Sequence, residues 1–117
     1  MNENSGHWIG NLGEDPELRY TPAGHAVSSF RMAINFKLGD KEETTWLKIN
    51  CWRTLAENVA ESLVKGARVI VIGRLQERSW ETEDGSKRSV LEVQADAVGP
   101  SLQWATAKVE KQARSES

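Results

Sequence analysis

A chain of 117 residues, 38% hydrophobic and 27% charged, has the size and composition of one compact domain. It contains no apolar run long enough to span a bilayer and no signal-peptide pattern, so a cytoplasmic protein with no membrane partner is expected. The 15 Lys and Arg against 17 Asp and Glu give a net charge of -2, which excludes a uniformly basic surface; any polyanion must be met by a local cluster of cations.

Residues 1–5 are polar and read as loose. Residues 7–12 form a short strand that leads into Gly13. A turn follows at Glu14-Asp15-Pro16-Glu17, because Pro16 fixes its own φ and turns Asp15 away from helix. Leu18-Arg19-Tyr20 is extended, and Thr21-Pro22-Ala23-Gly24 is a second turn. Residues 27–36 make the next strand, with Phe30, Met32, Ile34 and Phe36 on one parity and Ser29, Arg31, Ala33 and Asn35 on the other. Residues 38–43 read as a charged loop, and residues 45–52 as the third strand.

The spacing of Leu55, Val59, Ala60 and Leu63 predicts a helix over 54–63. Thr54 and Glu57 are placed to form a capping box, and Gly66 stands where a C-terminal glycine is expected. Residues 68–80 form a long strand, Glu83-Asp84-Gly85-Ser86 a hairpin tip, and residues 88–98 the returning strand. No repeat or internal boundary appears. Residues 1–100 are therefore read as one domain, and 101–117 as a polar, disordered tail. Three strands, a helix and two strands give an all-β chain with one helix. That is the order of a five-stranded OB barrel, with the helix between its third and fourth strands.

Five Trp stand against one Tyr and two Phe, more indole than a small core needs, so some rings are expected at the surface. Strand parity says which. In residues 46–52, Leu47, Ile49 and Cys51 make a core stripe, while Trp46, Lys48, Asn50 and Trp52 take the other face. Two indoles around a lysine suit base stacking, with the cation free for phosphate. In residues 68–80, Val69, Val71, Gly73 and Leu75 share one parity, and Ile70, Ile72, Arg74, Gln76, Arg78 and Trp80 the other. The first half is apolar on both faces, as in a central strand. The second half extends a positive, aromatic groove through Arg74, Arg78 and Trp80, with Lys87 and Arg88 across the turn. Trp8 and Trp104 are read as packing residues and Cys51 as a buried thiol. No nucleophile with its base, no carboxylate pair and no metal-ligand spacing stands out. No catalytic residue, metal or cofactor is therefore expected, and an enzyme is the least favoured reading.

Several stretches carry a family resemblance over residues 7–100. They are Gly10-Asn11-Leu12-Gly13-Glu14-Asp15-Pro16-Glu17-Leu18-Arg19-Tyr20, Thr45-Trp46, Leu55-Ala56-Glu57, Leu63-Val64-Lys65-Gly66, residues 69–75 with Gly73, and Arg78-Ser79-Trp80 ahead of Asp84-Gly85. In this order the chain resembles the bacterial single-stranded DNA-binding proteins. The resemblance implies an OB fold, a homotetramer wrapped by single-stranded DNA, and roles in replication, recombination and repair. It implies stacking by Trp46, Trp52 and Trp80, and phosphate contacts by Arg19, Lys48, Lys65 and Arg78. Two departures stand out. The family's further stacking aromatic, in the loop after the second strand, has only Phe36 or Leu38 near its position. The family's acidic, phenylalanine-ended tip, which recruits replication and repair enzymes, has no counterpart in Lys111-Gln112-Ala113-Arg114-Ser115-Glu116-Ser117, so such recruitment is not expected. A short family member and a truncated chain both fit that ending. Two other functions compete with passive binding of single-stranded DNA: an RNA-binding OB module, since stacking does not read the 2′-OH, and a protein-interaction module with the Trp face buried in an assembly.

Overall fold

Alternating apolar residues oblige the long strands of this chain to bury one face, and the sheet does so by closing on itself. The computed structural model describes residues 4–113. It contains β1 (Ser5–Leu12), β2 (Glu17–Tyr20), β3 (Ala26–Leu38), β4 (Lys41–Trp52), α1 (Arg53–Ser62), β5 (Arg68–Glu81) and β6 (Lys87–Pro100). Neighbouring strands run β1-β5-β6-β4-β3, and β1 then pairs with β3 to close a ring of five. The strand β1 serves both sides: Ser5 to Asn11 face β5, and Asn11 and Leu12 face Ala33 and Met32 of β3. That closure needs Gly10, where a Cβ would overlap the Ala33 carbonyl oxygen and stand 2.8 Å from Met32 Cγ.

The five-stranded OB barrel expected from the sequence is therefore borne out. Its helix lies between β4 and β5, one place later than expected, because Glu17–Tyr20 is a strand in its own right. Among the described residues that strand pairs only with β3, outside the ring. Ser5, expected to be loose, pairs with Arg74; the looseness expected of residues 1–3 and the disorder expected of 114–117 fall outside the described residues. Residues 101–113 form no helix or strand.

The core follows the predicted parity within the barrel, but Phe36, on the same parity as Phe30 and Met32, is exposed where β3 runs out along the hairpin. Phe30, Met32, Ile49, Val69, Val71 and Val93 are fully buried, and Ala56, Val59 and Leu63 join them from the helix. Cys51 is buried as expected. Desolvation pushes its thiol up to about 11, and the Ser28 hydroxyl on the neighbouring strand acts the other way. The thiol therefore stays protonated at neutral pH and acts as a small apolar residue.

The predicted helix boundaries need correction. The helix begins at Arg53, directly from the end of β4, with Trp52 at the N-cap and no side-chain cap hydrogen bond. The expected box fails because the chain passes from strand to helix with no linker in which Thr54 could cap. Arg53 makes that corner with a left-handed φ of 60°, a strained setting for a residue with a Cβ. Glu57 accepts a long 3.5 Å hydrogen bond from Tyr20 Oη instead. Gly66 is not the helix's closing residue either. Leu63 is the C-cap, and Gly66 lies in the following turn, its N–H donating to the Leu12 carbonyl at 2.8 Å.

The hairpins are longer than predicted. The expected loop at 38–43 is a two-residue turn at Gly39-Asp40, with Leu38 facing Lys41 across it. At the second tip, Asp84 accepts hydrogen bonds from the Thr82 hydroxyl and from the Ser86 N–H; these, the Thr82 bond first, hold its carboxyl below its ordinary pKa. The strand β5 is central, between β1 and β6, but only one of its apolar faces is covered. Ile70 and Ile72 are exposed, next to an exposed Ile9.

Candidate nucleic-acid interface

The alternation in β4 divides its side chains as expected: Leu47, Ile49 and Cys51 are buried, while Trp46 and Trp52 are 51% and 46% exposed. Each ring is fixed by its surroundings. The Trp52 Nε1–H donates to Gln94 Oε1 at 2.9 Å, and Val27 is its partner on β3. The Trp46 ring lies against Gly13, where a Cβ would overlap it. The Arg31 guanidinium stands 5.2 Å from the Trp46 ring centre and pairs with Glu14 at 3.0 Å. A turn glycine thus gives the indole its seat, and a cation backs it. Trp80, 45% exposed, has Arg78 at 5.6 Å from its ring centre.

A cleft of 470 Å³ brings together Arg19, Lys48, Trp52 and Arg78, four of the expected site residues, with Tyr20 and Val27 on its wall. Asn50 and Glu92 in its floor belong to a polar chain across three strands. Ser29 Oγ donates to Asn50 Oδ1 at 2.8 Å, and Asn50 Nδ2 donates to Glu92 Oε1 at 2.6 Å. Glu92 Oε2 stands 3.8 Å from Arg78 Nη1.

The remaining expected residues do not line this cleft. Trp46 precedes it along β4, and Trp80 lies near the tip of the second hairpin, opposite Arg88. Arg74 faces Asp96 at 3.9 Å. Lys65 lies in the segment after the helix, with its backbone N–H on Asp15 Oδ1 at 2.8 Å. Phe36 and Leu38, the residues nearest the absent loop aromatic, are both exposed on the outer arm of the first hairpin. Trp8 packs against the core as expected. Trp104 does not: it is 73% exposed, with Arg68 at 4.8 Å from its ring. The segment that carries it forms no strand to press the ring inward.

Three residues of this surface escaped the sequence reading. Arg31 shares the outer parity with Lys48, its partner across β3 and β4, and the alternation around Phe30 and Met32 was enough to find it. Glu92 and Gln94 share the outer parity of β6, opposite a buried Val93. Their burial beneath a cleft has no sequence signal, since an exposed Glu in a strand reads the same way.

The surface offers flat π-faces, cations and a hydrogen-bonding floor. Among the described residues no group of three His, Cys, Asp or Glu side chains could hold a metal ion, and no helix is long and apolar enough to cross a membrane.

Comparison with known proteins points the same way. The single-strand binding protein family matches residues 3–101. The chain is 54% identical to a single-stranded DNA-binding protein of Mycobacterium tuberculosis over 114 residues, covering 92% of this chain and 70% of the relative. It is 53% identical to those of Mycolicibacterium smegmatis and Mycobacterium leprae, again over 92% of this chain and over 69% and 68% of the relatives.

Proposed function

We propose, from the premise that the chain belongs to the single-strand binding protein family, that it binds and protects single-stranded DNA in replication, recombination and repair. It is a binder and not an enzyme. The observation that carries this is the outer face of β4, where Trp46 and Trp52 stand half-exposed around Lys48 beside a cleft with two further cations. Bases stack on Trp46, Trp52 and Trp80, a contact that any sequence can make. Arg19, Lys48 and Arg78 take phosphates at the rim. Arg74 joins them only by giving up Asp96, and Lys65 meets the strand only if DNA continues past the turn after α1. Residues 1–100 form the binding domain and 101–117 its tail.

Titration with oligo-dT tests this directly. Tryptophan emission is expected to fall on binding, duplex DNA of equal length to leave it unchanged, and affinity to drop steeply as salt rises. An emission indifferent to oligo-dT would remove the proposal. Competition by oligo-rU at the same salt measures how far the cleft prefers DNA.

The chain assembles as a homotetramer in this reading. Ile9 and Ile70 are direct partners across β1 and β5, and Ile72 follows one step along the same face. All three are exposed, with Ile72 at 51%, on strands otherwise committed to the barrel. An apolar sheet face left open in one chain is covered when a second copy packs on it. Light scattering is expected to give four chains, and Ile72→Glu to give smaller species. A wild-type monomer at micromolar concentration would refute the assembly.

A further inference from the structure

The cleft contains one group that attraction to a polyanion does not require. Glu92 lies on the outer face of β6, in register with Lys48 on one side and Gln76 on the other. Its side chain is 7% exposed. Oε1 is taken by Asn50 Nδ2 at 2.6 Å. Oε2 is 3.8 Å from the Arg78 guanidinium, within reach of its charge but beyond a hydrogen bond. A buried carboxylate whose Oε2 has no hydrogen bond thus lines the cleft together with Trp52 and the cations. Glu77 also lines the cleft, but it is exposed and accepts the Ser79 hydroxyl at 3.3 Å. Water and salt screen an exposed carboxylate far more than a buried one.

Of the two partners only Arg78 uses the charge, through a 3.8 Å ion pair whose cation is 66% exposed. The Asn50 hydrogen bond needs only an acceptor oxygen, which a glutamine amide would supply equally well. Arg78 stands too far away to be held by a hydrogen bond. A buried carboxylate, however, treats the two halves of a nucleotide oppositely. It repels a phosphate, which is anionic and accepts hydrogen bonds only. It attracts the N–H edge of a base, which every nucleobase has. Like charges placed together reject the wrong partner more than they weaken the right one.

Resting on the DNA-binding reading above, we propose that Glu92 is a specificity-determining residue. It keeps phosphates on the rim and turns bases inward, so the cleft accepts base-bearing strands over polyanions that have a backbone charge and no bases. The quantity that reports this is the ratio of affinities for oligo-dT and for linear inorganic polyphosphate. Both are measured at one ionic strength, by competition against a fluorescent oligo-dT read by anisotropy.

Glu92→Gln keeps the acceptor for Asn50 and removes the charge. It is expected to lower the ratio about tenfold or more, mainly through tighter polyphosphate binding. Gln94→Glu keeps an acceptor for Trp52 Nε1 and adds a second negative charge to the same floor. It is expected to raise the ratio, and it decides the matter if the first variant does not fold. A ratio unmoved in the folded variants overturns the proposal, whatever happens to each affinity. An equal loss for both ligands in Glu92→Gln would mean that Glu92 only holds Arg78 in place. If the wild-type protein binds no oligo-dT, the DNA-binding reading fails and this proposal falls with it; if it binds and the ratio stays fixed, only this proposal falls.

Discussion

Replacing Trp46, Trp52 and Trp80 together by Ala is expected to weaken oligo-dT binding at least about 100-fold while leaving the protein folded. Each base stacked on an aromatic ring contributes roughly 1–3 kcal/mol by alanine substitution, and every 1.4 kcal/mol or so is a factor of ten. Three platforms that share one strand are not additive, so the low end of their sum, about 3 kcal/mol, is the safer figure. The fold should persist because all three rings project from the outer parity and are about half exposed. The buried stripe of Leu47, Ile49 and Cys51 is untouched. The dependence of affinity on salt supplies an internal control. Arg19, Lys48 and Arg78 remain, so the slope of log affinity against log salt should stay near the wild-type value while the whole line drops. An unchanged affinity in a folded triple variant would falsify the stacking assignment. Lost affinity with a collapsed slope would mean that the rings had been holding the cations in place.

Gly10→Val is expected to cost about 3 kcal/mol of stability, through the barrel's closure and not through its core volume. The position lies where β1 leaves β5 for β3. A side chain there meets the Ala33 backbone, which cannot swing aside as a flexible side chain could. The strands must separate, and the pairings of Asn11 with Ala33 and Leu12 with Met32 are the ones lost. For a domain near 100 residues, such a loss lowers the midpoint of thermal unfolding by roughly 10 °C or more. Gly99→Ala is the matched control, since a Cβ at Gly99 meets nothing within 4 Å. Equal midpoints for the two variants in urea would show that closure at Gly10 bears little of the stability.

Parity did most of the work in reading this chain, and its limits show where the rest was lost. It separated Trp46 and Trp52 from Leu47, Ile49 and Cys51 because a strand obeys a period of two regardless of its neighbours. It could not place one strand beside another. The meeting of Arg19 from β2 with Arg78 from β5 in one cleft depends on barrel curvature, which no local pattern encodes. The capping box at Thr54 was a sound local signal that lost to context, since the helix starts directly from β4 and its first turn is set by the corner at Arg53. The face of Ile70 and Ile72 misled in the opposite sense. Apolar residues on both parities of β5 meant burial, but one chain supplies cover for only one side. Lys65 was carried by resemblance alone, and it stands apart from the cleft.

Closing the barrel also bears on how the protein behaves when crowded. Copies bound to one DNA strand would stand at high local concentration. An open sheet edge under those conditions is a template on which chains add to one another without limit. Here β1 pairs with β3 through Asn11 and Leu12, so closure covers that end of its second edge, while among the described residues Ser5 to Gly10 pair with β5 alone. Among the described residues β2 is bonded on one side only, but it is four residues long, follows Pro16, and carries Glu17 and Arg19. The geometry that shapes the cleft therefore also shortens the open edge on which neighbouring copies could pair.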